Sequence, residues 1–248
     1  MRRIRFHVSY DGTDFHGWQV QPGLPTIQGT LESAIETIEG APVHVEASGR
    51  TDAGAHAFAQ VAAVSISNRI AVDNFRRAVN RLLPPTIRIS EAAEVDLQFH
   101  PRFHCTRKTY EYRIFRDEIC PPFERRFVYH HPYPLDEAAM TAAAALYEGE
   151  HDFSSFAASD ESDTLGRSKV RVIFRSSLER HGPKLIYRVT GSGFLKHMVR
   201  NMTGVLLEVG KHNIDESGIR LRLSQPRTIR SGPTAPASGL FLVSVDYE

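Results

Sequence analysis

Strand-like and helix-like patterns follow one another in the same order in both halves of the chain, and this recurrence most constrains the fold. In the first half, polar and apolar residues alternate over residues 3–10, and an apolar helical face then begins after Thr26 and ends near Gly40. Further patterns predict a helix over residues 72–82 and strands over residues 43–47, 59–66 and 87–93. Strands interleaved with helices in this way predict an α+β unit with an antiparallel sheet.

The second half of the chain repeats this order. Its patterns predict helices over residues 136–147 and 194–209, and strands over residues 109–115, 168–179, 185–190 and 240–245. The turn residues around Gly182 separate two of these strands, which predicts that they pair as a hairpin. The serines and five acidic residues of residues 149–166 predict a mobile surface insert. Two similar α+β halves are therefore expected, residues 1–105 and residues 106–248.

The bulk composition is typical of a globular protein without a membrane span. Of the 248 residues, 41% are hydrophobic and 24% are charged, and no run of about 18 apolar residues occurs. The basic N-terminus alternates polar and apolar residues, as a strand does and a signal peptide does not. The two cysteines, Cys105 and Cys120, are too few for a disulfide framework, which predicts that the protein is located in the reducing cytoplasm. The net charge of +1 excludes no partner, although 25 of the 30 basic residues are arginine, the better phosphate ligand.

The stretch SGRTDAGAHA, residues 48–57, places Arg50 and Asp52 two apart between glycines. In an extended segment such a pair projects on one side of the backbone. One interpretation is a simple turn, with Asp52 bonding its own backbone and Arg50 in solvent, and spacing alone favours it. The other is a prepared site, in which the arginine keeps the carboxylate ionised so that it acts as a nucleophile or general base.

Several common site motifs are absent from the sequence. Gly191 and Gly193 lack the third glycine of a dinucleotide-binding fingerprint, and neither a phosphate-binding loop nor a G-x-S-x-G elbow occurs. His100 and His104 are four apart, but Pro101 between them disfavours the helix that would bring them together as zinc ligands.

SGRTDAGAHA resembles the signature of the bacterial tRNA pseudouridine synthase A family. Further stretches resemble blocks of that family in the family's order: YDGTDFHGWQVQ, TIQGTLE, FHPRFHCTRKTYEYRI, HDFSSF, GSGFLKHMVRNMTGVLLEVG and APASGLFLVSVDY. Together they extend over nearly the whole chain. The departures are small, since Ala55 stands where the family often has valine and Ser238 where it often has a larger polar residue.

The resemblance implies an isomerase that converts uridine to pseudouridine at positions 38–40 of the transfer RNA anticodon arm. It implies no cofactor, metal or ATP. Asp52 matches the family nucleophile, which attacks the sugar or the base or begins by elimination, and Arg50 matches its arginine partner. Tyr110 matches a tyrosine that packs on the target base, and Leu240 matches an apolar residue of the uracil pocket. From the residues alone, both remain ordinary core positions, with Tyr112 on the same face as Tyr110.

Other residues are expected to bind the substrate. Lys196 and Arg200 are four apart in the helical pattern, so they would project on the same side and suit a polyanion. The match to the first loop contributes Asp11, Trp18 and Gln19, and the signature contributes Gly54 and His56. The candidate phosphate contacts are Arg102, Arg107, Lys108 and Arg167.

The resemblance also implies two ferredoxin-like halves joined around a central RNA-binding cleft, and a homodimer. Two other classes remain open from the residues: a non-catalytic RNA-binding module and a metal-dependent hydrolase that uses the histidines. The small residues of the signature are interpreted as clearance for a flipped-out uridine.

Overall fold

The computed structural model describes residues 1–159, 166–226, 229 and 232–247. The chain divides into two compact units, the first being Met1–Thr106 with the chain from Phe241 onward, and the second Arg107–Leu240. The elements are β1 (Arg2–Tyr10), α1 (Ile27–Glu39), β2 (Val45–Ala47), β3 (His56–Ile66), α2 (Val72–Leu82), β4 (Ile87–Val95), β5 (Cys105–Phe115), β6 (Tyr129–His130), α3 (Glu137–Ala145), β7 (Gly149–Asp152), β8 (Val170–His181), β9 (Lys184–Gly191), α4 (Met198–Gly210), α5 (Glu216–Ser224) and β10 (Leu240–Tyr247).

The first unit is built on a sheet in the order β4-β1-β3-β10, with β2 added to β3. β1 pairs antiparallel with both β3 and β4, while Phe241 and Leu242 of β10 run parallel to the start of β3. The alternation expected for the first strand is present, because Ile4, Phe6 and Val8 are fully buried. The predicted antiparallel sheet is thus confirmed for this unit, with β10 as a parallel neighbour.

Local signals explain α1, which lies where the helical pattern predicts it. The Thr26 side chain accepts a hydrogen bond from the Gly29 amide and caps the first turn. Gly40 ends the helix in the left-handed conformation at φ 77°, and its amide donates to the Glu36 carbonyl. The predicted helix over residues 72–82 is confirmed as α2.

The second unit has a sheet in the order β5-β9-β8-β7, antiparallel throughout, with β6 parallel to β5. The predicted hairpin is confirmed, since β8 and β9 pair around Gly182, whose φ is 57°. Helix α3 packs on β8 and α4, and the interior contains Tyr112, Tyr147 and Tyr187, each fully buried. Both units are α+β, as the sequence predicts.

The expectation of a mobile insert over residues 149–166 is wrong for its first part. Residues 149–152 form β7, and Phe153–Phe156 form a short 3-10 helix capped by the Asp152 carboxylate. Phe153 and Phe156 are fully buried, so two aromatic side chains fix this polar stretch on the core. Residues 160–165 of the predicted insert lie outside the described residues.

The helix predicted over residues 194–209 begins later than its apolar pattern indicates. His197 has φ 60°, a left-handed conformation that is incompatible with a continuous α-helix, so α4 begins at Met198. Neither α5 nor the two-residue strand β6 was predicted from the sequence patterns. Across the described ranges, every helix is too short or too polar to cross a lipid bilayer.

Glu111 illustrates how the second sheet accommodates a buried charge. Its side chain is about 5% exposed and accepts hydrogen bonds of 2.7 Å from Arg113 on its own strand and from Arg188 directly opposite on β9. Burial by itself raises the pKa of Glu111, but the hydrogen bonds from Arg188 and Arg113 outweigh it, so the pKa lies below its usual range.

Replacing Glu111 by glutamine should therefore lower stability in a pH-dependent way. At pH 7 we expect Glu111→Gln to cost about 1–2 kcal/mol of unfolding free energy, with solvent around Arg188 keeping the loss small. A depressed carboxyl pKa stabilises above the unfolded value of 4.5, and that contribution is lost as the pH falls through the folded value. Urea unfolding between pH 7 and pH 3 should show the two proteins converging below pH 4.5. A constant difference at all pH values, or an equal loss in exposed Glu179→Gln, would contradict this.

Candidate functional site

A buried polar cluster, defined as Tyr10, Ser48, Thr51 and Gln60, anchors the signature stretch, residues 48–57. All four residues are at most 7% exposed. The Ser48 hydroxyl donates to the Gln60 side-chain oxygen (2.5 Å), and the Gln60 amide nitrogen donates to the Gly49 carbonyl (2.9 Å). The Tyr10 and Thr51 hydroxyls lie 2.8 Å apart. These contacts join β1 and β3 to the loop between β2 and β3, so the loop has a fixed conformation.

The inward direction of Thr51 determines where its neighbours point. Arg50 is exposed, Thr51 is buried and Asp52 is half-buried, an alternation typical of extended backbone. Arg50 and Asp52 therefore lie on the side away from Tyr10. Burial raises the pKa of Tyr10, so its hydroxyl stays neutral and remains a hydrogen-bonding partner for Thr51 at physiological pH.

The chain turns sharply immediately after Asp52. The Ala55 amide donates to the Asp52 carbonyl (3.1 Å), and Gly54 has φ 78°, which favours glycine. The turn interpretation of the signature is therefore correct for the backbone. The Asp52 side chain is half-buried where this turn begins.

The first loop of the chain packs against the signature through glycines. The Trp18 amide donates to the Thr51 carbonyl (3.1 Å), and the Gly54 amide donates to the Phe15 carbonyl (3.2 Å). A Cβ on Gly12 would lie 1.9 Å from the Ala55 carbonyl oxygen. The two loops thus approach at backbone distance, which only glycine permits at position 12.

Asp11 and His56, both expected to bind substrate, lie together at this contact. The His56 ring is 1% exposed, and its Nδ1 accepts from the Gly12 amide (3.1 Å) and lies 3.3 Å from Asp11 Oδ1. Asp11 Oδ1 also accepts from the amide and hydroxyl of Thr13, and the His56 ring stacks on Phe241 at 4.7 Å. These contacts stabilise the loop from inside the first unit.

The expected residues of the first loop and of the joining region differ in exposure. Trp18 is 3% exposed, its ring 6.2 Å from that of Tyr10, and it anchors the loop. Gln19 is exposed beside it, and Arg102 is exposed before β5.

Three expected residues lie at the start of β5 in the second unit. Tyr110 is 8% exposed, stands opposite Val189 and meets the Phe194 ring edge-on at 4.9 Å. Lys108 stands opposite Gly191. Arg107 is exposed, with its guanidinium 5.4 Å from the centre of the Phe174 ring. Arg167, also exposed, precedes β8.

The expectation that Lys196 and Arg200 project from one helix face is wrong. Lys196 lies in the loop before α4, where its carbonyl accepts from the Ala158 amide, because the left-handed His197 separates it from the helix. Arg200 lies in the first turn of α4, and its Nε donates to the Ala235 carbonyl at 2.7 Å.

Leu240 is 6% exposed and begins β10, directly after the 3-10 helix Ala237–Gly239. A Cβ on Gly239 would lie 2.8 Å from the Tyr112 ring. The backbone therefore reaches Leu240 by passing closely over this buried tyrosine.

Sequence reasoning missed Asn201, which is 5% exposed in α4. Its side chain donates to the Phe156 carbonyl and accepts from the Thr234 hydroxyl, both at 2.7 Å. The signal was available: an asparagine stands between Met198 and Met202 on the apolar face of a predicted helix, where a polar residue needs partners.

His100 and His104, the histidines considered as zinc ligands, have other contacts. The His100 amide donates to His104 Nδ1 (3.4 Å), and His100 Nε2 lies 3.6 Å from Glu46 Oε1. Within the described parts of the chain, no three His, Cys, Asp or Glu side chains are grouped as metal ligands.

The sequence comparisons agree on one family. A family model described as tRNA pseudouridine synthase matches residues 7–104 and 143–248. The tRNA pseudouridine synthase A of Solibacter usitatus is 64% identical over 247 residues, and that of Acetivibrio thermocellus is 40% identical over 247 residues; each alignment covers 100% of both chains. A solved structure, the archaeal box H/ACA sRNP Nop10-Cbf5 complex, is 13% identical with a TM-score of 0.34, covering 83% of this chain and 44% of that one.

A methyl group on Gly12 should displace the signature loop. Because the nearest atom is a backbone carbonyl at 1.9 Å, we expect Gly12→Ala to lower stability by at least about 2 kcal/mol. Hydrogen exchange of the amides of residues 51–56 should accelerate. Gly193→Ala is the matched control, since its Cβ would meet Arg171 Nε at an ordinary 3.7 Å. Wild-type stability and exchange in Gly12→Ala would contradict the backbone contact.

Proposed function

The chain belongs to the tRNA pseudouridine synthase family, isomerases that convert uridine to pseudouridine in transfer RNA, and we propose that its target uridines are at positions 38–40 of the anticodon arm. The full-length identity of 64% to a tRNA pseudouridine synthase A supports this. In the reaction the N1–C1′ glycosidic bond breaks, the uracil rotates, and a C5–C1′ bond forms. The C5 proton is released and N1 takes up a proton, so no other reactant is consumed.

Asp52 is the proposed nucleophile, and the observation that carries this assignment is the inward anchoring of Thr51. Because the Thr51 hydroxyl lies 2.8 Å from the buried Tyr10 hydroxyl, Asp52 projects from the opposite side of a backbone that cannot rotate freely. A carboxylate held in a fixed direction is ready to attack without reorganisation. Arg50, two residues earlier on the same side, is proposed as its cationic partner.

The target uridine is proposed to leave the RNA stack before reaction. Extrusion of a base costs a few kcal/mol, which contacts to the flipped base and to the backbone phosphates must offset. Tyr110 is assigned to packing on the base and to assisting removal of the C5 proton, and Leu240 to the apolar wall of the base pocket. Gly54 gives clearance beside Asp52.

The cations at the start of β5 and near α4 are proposed to contact the RNA. The positive charges that suit phosphates belong to Arg107, Lys108, Arg200 and Lys196. Asp11, His56 and Gln19 support or line the first loop. A homodimer is the proposed assembly, by analogy with the family. The cytoplasm is the proposed location because the substrate is transfer RNA.

Tritium release from uracil C5 tests the proposed chemistry. Unmodified tRNA labelled with tritium at uracil C5 is incubated with the protein in the presence of EDTA. We expect release by wild type and at least about a 10⁴-fold lower rate with Asp52→Asn and Asp52→Ala, because the nucleophile is lost while the RNA-binding surface is kept. Gel shifts should show nearly unchanged tRNA affinity. Asp73→Asn, an exposed carboxylate at the start of α2, is the matched control and should keep full activity.

Each other outcome rejects a specific part of the proposal. No release by wild type from any anticodon-arm substrate, with tRNA still bound, would indicate an RNA-binding module instead of an enzyme. Wild-type release by Asp52→Asn would reject the nucleophile. Loss of activity in EDTA would reject a metal-independent mechanism.

A further inference from the structure

The segment before the last strand contacts α4 at residues 233–235 and Tyr112 of β5 at Pro236, and we call residues 233–236 the strap. The Pro233 carbonyl oxygen lies so close to Gly204 that a Cβ there would be 1.8 Å away. The Ala235 amide donates to the Arg200 carbonyl (3.2 Å), and the Pro236 carbonyl accepts from the Tyr112 hydroxyl (2.7 Å). The strap is therefore an integral part of the second unit, although it has no regular secondary structure.

Asn201 joins the strap to two other segments. Its side-chain nitrogen donates to the Phe156 carbonyl at the end of the 3-10 helix, and its oxygen accepts from the Thr234 hydroxyl in the strap. The exposed Thr234 makes its bond at the surface side of the strap, whereas Asn201 is 5% exposed, so the loss of its buried bond to Phe156 would leave a polar atom unsatisfied. An apolar residue would fill this position without fixing the register of the strap along α4.

Arg200, the residue before Asn201, is oriented by the same strap. Its Nε donates to the Ala235 carbonyl at 2.7 Å, one residue after Thr234. Because Nε is the guanidinium atom nearest the aliphatic stem, this bond sets the direction in which the rest of the guanidinium extends. At its other end, the strap leads through Ala237–Gly239 to Leu240. One segment therefore determines the placement of both a proposed RNA-contacting cation and a proposed base-pocket residue.

We propose that Asn201 and Thr234 form a positioning pair for the isomerisation, setting Arg200 and Leu240 against the substrate through the strap. This inference rests on the proposed function. The pair touches no reacting atom and acts only through the strap. Loss of the bond between the two side chains slows the chemical step, because a small shift of groups that contact the transition state is costly. The fall in rate is larger than the loss of stability alone would cause.

Two substitutions at Thr234 separate the hydroxyl from the volume of the side chain. Thr234→Val keeps the shape and removes the donor to Asn201, so kcat for tritium release should fall at least about tenfold, with KM for tRNA changing less than about threefold. Thr234→Ser restores the hydroxyl and should restore kcat to within about threefold. Asn201→Ala should match or exceed the loss in Thr234→Val.

Thr203→Val is the matched control for loss of a buried hydrogen bond. Thr203 is fully buried in the same helix, and its hydroxyl donates to the Val199 carbonyl at 2.8 Å without touching the strap. Because Thr203 is fully buried and Thr234 is exposed, the unfolding midpoint of Thr203→Val should fall at least as much as that of Thr234→Val, while its kcat stays within about twofold of wild type.

The outcomes distinguish this inference from the proposed function. If wild type releases no tritium, the proposed function itself is rejected. If wild type is active and Thr234→Val has wild-type kcat, the positioning role is overturned. The same holds if Thr203→Val loses as much kcat as Thr234→Val, because general destabilisation would then explain both, or if Thr234→Ser fails to restore the rate.

Discussion

The candidate site depends first on the hydrogen bond between the Tyr10 and Thr51 hydroxyls, 2.8 Å long and shielded from water. Tyr10 stands at the end of β1, the central strand between β3 and β4, so its position is set by the sheet. In a low-dielectric interior such a bond is stronger than in water, and its loss leaves polar atoms unsatisfied. Fixing Thr51 inward fixes Asp52 outward, so a contact made for folding also sets the direction of the proposed nucleophile.

Both units hold their functional residues by close backbone contacts and by side-chain hydrogen bonds. In the first unit, the backbones of the first loop and of the signature stretch approach closely at Gly12. The buried polar cluster anchors the signature stretch. In the second unit, the Pro233 carbonyl approaches Gly204 just as closely, and Asn201 joins α4 to a 3-10 helix and to the strap. In both units, a methyl group at the closely packed glycine and removal of one hydroxyl are therefore the disruptive changes.

Much of the fold follows from local signals in the sequence, and the exceptions have definite causes. The helix α1 was predictable because Thr26 and Gly40 mark its ends, and the side shared by Arg50 and Asp52 follows from alternation. The start of α4 was not predictable, because nothing in the residue type of His197 indicates a left-handed conformation.

The tertiary contacts of the site were beyond local reasoning. The partners of Asn201 are 33 and 45 residues away in the chain, and periodicity carries no information over that distance. The burial of Phe153 and Phe156 was not predicted because their neighbours in the sequence are polar. Resemblance to a family indicated the activity, and the full-length relatives confirm that family.

The most direct test of the account is the single-turnover rate of tritium release by Thr51→Val at saturating tRNA, compared with Thr51→Ser. If the buried hydroxyl pair sets the direction of Asp52, Thr51→Val should react at least about tenfold more slowly while binding tRNA normally, and Thr51→Ser should stay within about threefold of wild type. A wild-type rate in Thr51→Val would contradict the claim that this hydrogen bond orients the nucleophile.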